Sequence, residues 1–232
     1  MSKERSSLGV ELIGSLNESN LVEVATEIGD VALDSFLQQG VLKEIPVLGW
    51  LVKFYGAQQS IRDRLFLKKI AAFYAGAGKA SPKERVKFRK KIETNKEYQK
   101  KVGESLLLLI ERHERFEKSL LLGRLFASFM SDDISHELFM RLSAALDKAV
   151  IEDLEALRGS ESEYYTLHQR FEGLYRCGLM DLNLSLRPLN REAMQMGMRR
   201  GIEVERDVEI RYQINELGNL FIEHAMEVKS DL

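Results

Sequence analysis

The sequence predicts a mainly α-helical protein, in which an N-terminal helical bundle packs on a C-terminal module with a small β-hairpin. Three observations predict this class. The chain has only 3 prolines in 232 residues, and its apolar residues recur with a period near 3.6 over most of its length. Alternation of apolar and charged side chains, typical of a strand, runs through 202–214. Residues 167–226 follow the order helix, glycine-ended turn, hairpin and closing helix, which is that of a winged-helix module.

We therefore place a helical module at residues 1–130 and a winged-helix-like module at residues 131–232. A chain of this length has enough material for one large domain or two small ones. No flexible linker separates the two modules, so we expect them to pack together.

The helices of the first module are predicted from their periodicity and their ends. Asn17–Gln39 is an amphipathic helix. A second helix over 60–74 stops at Gly76. At Ser81–Glu84 a capping box combines with a proline at the first helical position, which is the clearest helix start in the chain. The inner stripe of the second helix is formed by Ile61, Leu65, Ile70 and Phe73.

The middle of the chain is predicted to supply the core. Glu104–Lys118 contains the run LLLLI, and a polar break over 131–135 offers several N-caps for the helix that follows. That helix is expected to run from Ile134 to Leu157 without interruption. Between the run and the break, the inward-facing residues are Leu121, Leu125, Phe129 and Met130.

The second module is predicted to contain a helix over Glu163–Arg176 that Gly178 stops. An extended segment begins at Leu179, and the alternating strand ends at Ile214. Asn215 is expected to cap the closing helix.

Composition favours an ordinary protein of the cytoplasm. Hydrophobic residues make up 44% of the chain and charged residues 30%, and the net charge is −2. The single cysteine, Cys177, excludes an internal disulfide and suits a reducing compartment. The first residues lack the apolar core of a signal peptide. The longest apolar stretch, 45–57, is shorter than the roughly 20 residues of a membrane-spanning helix.

Positive charge is concentrated in one segment. Lys79–Lys101 carries ten basic and three acidic residues. We predict a partner-binding or anion-binding face on the helix that Pro82 begins, and an ordinary solvated helix face is the alternative interpretation. Aromatic residues in the segment, Phe88 and Tyr98, are too few for stacking on single-stranded nucleic acid. The predicted face consists of Lys83, Lys87, Lys90 and Lys91.

Two other functional segments are candidates. In a DNA-binding winged helix, Glu163–Arg176 would be the recognition helix, but it carries no net positive charge and acidic side chains line the following strand. The candidate wing contacts are Arg187, Arg191, Arg199 and Arg200. The apolar stretch 45–57 is a candidate membrane-active segment, with a buried core helix as the alternative interpretation. Its aromatic residues are Trp50, Phe54 and Tyr55.

Catalytic motifs are absent from the sequence, so we predict a protein that is not an enzyme and needs no metal or cofactor. The four histidines are scattered. His113 and Glu117 have the i, i+4 spacing of metal ligands, but two ligands do not make a site. Cys177 follows a helix, and the negative end of the helix dipole disfavours a thiolate there.

The stretch LGRLFASFMSDDISHELFMRLSAALDKAVIEDLEAL, together with GLYRCGLMDL and INELGNLFIEH, resembles the bacterial abortive-infection alpha family and its uncharacterised relatives. The resemblance covers about the last 110 residues. It implies a bacterial cytoplasmic protein of antiviral defence and carries no functional residues over to this chain.

The predicted function is a non-enzymatic interaction or regulatory protein that docks a partner, with a protein as the favoured partner class. A winged-helix transcription regulator that binds DNA is one alternative. A toxic effector that perturbs membranes through the Trp50 segment is another.

Overall fold

The computed structural model describes residues 2–17, 61–157, 165–166, 169–186 and 208–226. Helices make up 76% of these residues, and a small antiparallel sheet accompanies them, so the mainly α class is confirmed. The predicted helix Asn17–Gln39 lies outside the described residues except at its first position. No helix in the described ranges is long and apolar enough to span a membrane.

The described helices and strands follow one another closely. The helices are α1 (Ser2–Gly14, continued by a 3₁₀ turn over Ser15–Asn17), α2 (Ile61–Ala77), α3 (Pro82–Glu93), α4 (Lys96–Arg112), α5 (Phe116–Met130), α6 (His136–Lys148), α7 (Ile151–Leu157), α8 (Gln169–Arg176) and α9 (Glu216–Ala225). The strands are β1 (Tyr165–Thr166), β2 (Met180–Leu186) and β3 (Val208–Ile214).

The chain forms two compact units. The first contains residues 1–147 together with 223–232, and the second contains residues 148–222. These units are groups of residues in contact and do not establish which segments fold independently. The predicted modules at 1–130 and 131–232 therefore stay a prediction.

Helix α3 begins as the sequence predicts. The Ser81 backbone N–H donates to Glu84 Oε2 at 2.6 Å, and the Glu84 N–H donates to Ser81 Oγ at 3.3 Å. Pro82 occupies the first turn, where its missing N–H costs no helical hydrogen bond. The reciprocal capping box is thus confirmed, and it holds α3 with a defined exposed side.

Helices α2 and α5 cross at a pair of glycines. A Cβ on Gly76 would lie 2.7 Å from the backbone nitrogen of Arg124, and a Cβ on Gly123 would lie 2.8 Å from that of Ala77. The predicted stop at Gly76 is therefore wrong, because this glycine lies inside α2. It is required there for close backbone approach rather than for a turn.

The core around this crossing is aromatic. Phe126 of α5 lies at ring-centroid distances of 5.6 Å from Phe73 of α2, 5.5 Å from Phe88 of α3 and 5.6 Å from Phe139 of α6. All four side chains are buried. Such tilted and edge-to-face pairs add to the gain from burying apolar surface, so Phe126 ties four helices together.

Part of the predicted core is confirmed and part is wrong. Leu121, Leu125, Phe129 and Met130 are buried as predicted. In α2, however, Ile61 is 80% exposed and Leu65 is 54% exposed, whereas Ile70 and Phe73 are fully buried. The first turns of α2 therefore lie outside the described core.

The predicted long helix from Ile134 to Leu157 is wrong, because α6 ends at Lys148 and α7 begins at Ile151. In a continuous helix, the carbonyl of Asp147 would accept from the backbone N–H four residues on. Here the buried Lys118 donates its Nζ to that carbonyl at 3.1 Å. This side chain satisfies an acceptor at the end of α6.

The second unit contains the three strands in the order β1, β3, β2, and both pairings are antiparallel. The register of the main pair runs from Met180 opposite Ile214 to Leu186 opposite Val208. The extended segment predicted from Leu179 and the strand ending at Ile214 are thus confirmed. The Asn215 cap is confirmed as well, since Asn215 Oδ1 accepts from the Gly218 N–H at 2.9 Å.

The predicted helix Glu163–Arg176 is partly wrong. Tyr165–Thr166 is a short strand that pairs with β3, and the helix spans Gln169–Arg176. Gly178, with a φ of 87°, ends this helix in the left-handed conformation. The stop signal was therefore correct, while the start was placed too early.

Candidate functional site

The predicted basic face lies on the exposed side of α3. The side chains of Lys83, Lys87, Lys90 and Lys91 are all exposed. The opposite side of the helix packs inward through Phe88 and Ile92, which are buried. The structure therefore places the four lysines together on one solvent-facing surface, which we call the α3 basic face.

Asp132, in the turn after α5, binds two of these lysines. Its Oδ2 lies 2.9 Å from Lys87 Nζ, and its Oδ1 lies 2.8 Å from Lys91 Nζ. Hydrogen bonds from Lys91 and Lys87 lower the pKa of the Asp132 carboxyl below its ordinary value. The α3 basic face thus already holds one carboxylate, with one lysine on each oxygen.

The backbone conformation of Asp132 fixes the position of that carboxylate. The Asp132 N–H donates to the Phe129 carbonyl at 3.3 Å, and the Asp133 N–H donates to the Ser128 carbonyl at 3.0 Å. These two bonds define a Schellman ending for α5. Asp132 has a φ of 62°, in the left-handed region where such endings usually place glycine.

The second unit provides the comparison. Gly178 takes the same position after α8, and its N–H donates to the Tyr175 carbonyl at 2.9 Å. Asp and Asn adopt the left-handed region more readily than other residues with a side chain. At the end of α5 an aspartate therefore does what a glycine does after α8, and it adds a carboxylate aimed at α3.

A pocket of about 340 Å³ lies next to this ion-pair cluster. Its floor is apolar and is formed by Phe88, Ile92, Phe129 and Ile134, all of them buried. Tyr98 and His136 form its exposed walls, and their rings lie 5.9 Å apart. Lys91 and Asp132 lie at its rim. The pocket therefore combines an apolar floor with a charged rim on one side.

Reasoning from the sequence missed this pocket and the role of Asp132. Lys87 and Asp132 are separated by 45 positions in the chain, and the walls come from α4 and α6. One local signal was available, because an aspartate stands directly after α5 where a glycine would be expected.

His113 and Glu117 do not form a metal site. His113 is buried at the end of α4, where its Nδ1 is hydrogen-bonded to Ser119 Oγ at 3.1 Å. Glu117 lies in the first turn of α5 and pairs with Arg115 at 2.8 Å. Within the described part of the chain, no three His, Cys, Asp or Glu side chains are grouped to hold a metal ion.

The environment of His113 keeps its ring neutral. Burial is the main cause of a pKa lowered to about 4, and the positive charges of Lys118, Lys69 and Arg112 lower it further. Cys177 is also buried, and its Sγ–H donates to the Leu174 carbonyl at 3.2 Å. Both groups belong to the packing of their helix ends.

The other predicted segments receive little structural support. Arg176 of α8 pairs with Glu172 on the same helix, and Arg211 of β3 pairs with Glu209 at 2.9 Å. These pairs leave less positive charge for a nucleic-acid backbone. The wing arginines Arg187, Arg191, Arg199 and Arg200 lie outside the described residues, as do Trp50, Phe54 and Tyr55.

Comparison with known proteins gives no significant match, whether to a protein-family model, to a curated protein or to a solved structure. The resemblance to the abortive-infection alpha family therefore stays a prediction.

Proposed function

We propose that this chain is a non-enzymatic interaction protein that docks an acidic segment of a partner protein on the α3 basic face. The observation that carries the proposal is the arrangement of Lys87 and Lys91, one helical turn apart, around both oxygens of one carboxylate. A face that holds an internal carboxylate in this way has the geometry to hold an external one. Lys83 and Lys90 extend the positive charge along the same side.

A protein partner is better supported than a nucleic acid. The anion already bound to the face is a carboxylate, and the neighbouring pocket offers an apolar floor rather than exposed rings on which bases stack. On α8, the proposed recognition helix, Arg176 is engaged by Glu172. Duplex binding depends on many phosphate contacts, and the described part of the second unit offers few.

For the second half of the chain we propose a winged-helix-like scaffold. The order α8, β2, β3, α9 supports it, as does the pairing of β1 with β3. In this proposal the scaffold contributes protein contacts rather than DNA recognition, since such modules serve both roles.

We place the docking in the bacterial cytoplasm and, following the resemblance, in antiviral defence. Two charge variants test the proposal. The face variant replaces Lys87, Lys90 and Lys91 with Glu. The scattered variant replaces Arg64, Arg141 and Lys148 with Glu, all three of them exposed, and changes the net charge by the same amount.

The measurement is quantitative affinity capture from bacterial lysate at low and high salt, with circular dichroism to establish that both variants are folded. We expect the face variant to lose acidic partners at least tenfold and the scattered variant to retain them. The same pair, expressed in cells challenged with phage, should differ in plating efficiency. Equal recovery of every partner by the two variants would contradict the docking role of the face.

A further inference from the structure

We propose that the pocket beside Lys91 receives an aromatic side chain of the docked segment, so that the partner presents an aromatic residue flanked by carboxylates. This inference rests on the proposed function and specifies its partner class. It is carried by the position of the pocket directly against the Lys87–Asp132–Lys91 cluster. The pocket and the cluster therefore contact adjacent residues of one bound peptide.

The pocket has the size and the walls for one ring. Its volume of about 340 Å³ is at the lower end of the range for ligand pockets, which is roughly 300–1,000 Å³. Phe88 and Phe129 meet edge to face at 5.4 Å, and Tyr98 meets His136 edge to face at 5.9 Å. Aromatic rings prefer such tilted contacts, so an entering ring finds edges and faces with which to pair.

The rim supplies the charge selection. Lys91 contributes to both the pocket and the ion-pair cluster, so an anion bound there lies beside any group in the pocket. Interface residues that contribute most of the binding energy are typically buried aromatic anchors, and the surrounding contacts exclude water. A carboxylate next to an aromatic anchor satisfies both parts of this site.

Asp132 is the internal competitor in this scheme. An incoming carboxylate takes its place on Lys87 and Lys91, and Asp132 turns to solvent. The exchange costs little because the three side chains are substantially exposed, and exposed ion pairs contribute little net stability. Removing the Asp132 charge should therefore strengthen binding of an acidic segment.

A mononucleotide also combines a ring with negative charge, and it is the competing occupant. The peptide is favoured because the bound internal anion is a carboxylate. In addition, Lys83 and Lys90 are exposed on α3 beyond the rim, which suits a charged segment longer than a single phosphate.

The test is fluorescence anisotropy with fluorescein-labelled five-residue peptides at low salt. The probe has the sequence Glu-Asp-Trp-Asp-Glu. One control peptide replaces Trp with Ala, and a second replaces the four acids with Gln and Asn. We expect the probe to bind at least tenfold more tightly than either control peptide.

Variants of the protein locate the binding. Tyr98→Ala and His136→Ala remove exposed walls of the pocket, and each should weaken the probe several-fold while leaving the Ala control peptide unaffected. Tyr175→Ala, at an exposed tyrosine of the second unit, is the matched control and should change nothing. Asp132→Asn keeps a residue that tolerates the left-handed region and should tighten the probe several-fold.

The outcomes separate the two proposals. If the probe and its Ala control bind equally and the face variant weakens both, docking stands and the aromatic pocket is overturned. If no acidic peptide binds, both proposals fail. If adenosine monophosphate binds with the same dependence on Tyr98 and His136 while the probe does not, the occupant is a nucleotide and the peptide is overturned.

Discussion

At the scale of single residues, charge and burial decide which polar groups are structural. His113 is 1% exposed and has a pKa lowered to about 4, so the folded protein holds a neutral ring. The unfolded chain has an ordinary histidine, with a pKa near 6.5. As the pH falls through this window, the unfolded state binds a proton that the folded state does not. Stability is therefore lost on acidification and is unaffected above it.

We predict that His113 alone removes about 2 kcal/mol from the free energy of unfolding between pH 7 and pH 5. Urea unfolding of His113→Gln should show this part of the pH dependence abolished, whereas His136→Gln, at an exposed position, should retain it. An unchanged pH dependence in His113→Gln would show that the ring does not remain neutral in the folded state.

At the scale of elements, close backbone approach governs how the helices cross. Gly123 of α5 faces Gly76 of α2, and Gly103 of α4 faces Gly9 of α1 in the same manner. Alanine at a helical glycine normally stabilises by about 1 kcal/mol through propensity. At these crossings the added methyl group overlaps backbone atoms of the partner helix, which cannot move aside as a side chain does.

We predict that Gly123→Ala destabilises the protein by about 2 kcal/mol or more, since overpacking exceeds the gain in propensity. Gly14→Ala is the matched control, because nothing lies within 4 Å of its added Cβ. It should be neutral or stabilising by up to about 1 kcal/mol. Thermal and urea unfolding of the two variants measure the difference, and similar effects at both positions would contradict the close crossing.

The elements also explain what could be predicted from sequence. The capping box at Ser81 and the Asn215 cap were predicted correctly because each is complete within four residues. Gly76 was taken for a helix stop because its requirement comes from Gly123, which is distant in sequence. The break after α6 was missed for the same reason, since Lys118 reaches the Asp147 carbonyl from another helix. The site followed this pattern, with the α3 lysines found and Asp132 missed.

At the scale of the whole molecule, the distribution of charge matters more than its total. The net charge is −2, yet Lys79–Lys101 carries ten basic residues against three acidic ones. A charged surface within about 10 Å responds to the local charge, because salt screens more distant charges at about 0.1 M. The molecule should therefore present its basic side to a negatively charged surface despite its overall sign.

We predict that the protein is retained on a sulfonate cation exchanger at pH 7.5 and low salt, above its isoelectric point of about 6.2, and that rising salt releases it. The face variant should pass through unretained. The scattered variant has the same net charge, six units more negative than the parent, but keeps the α3 basic face intact, so it should still bind. Identical elution of the two variants would mean that net charge governs the interaction, and the α3 basic face would then have no separate electrostatic role.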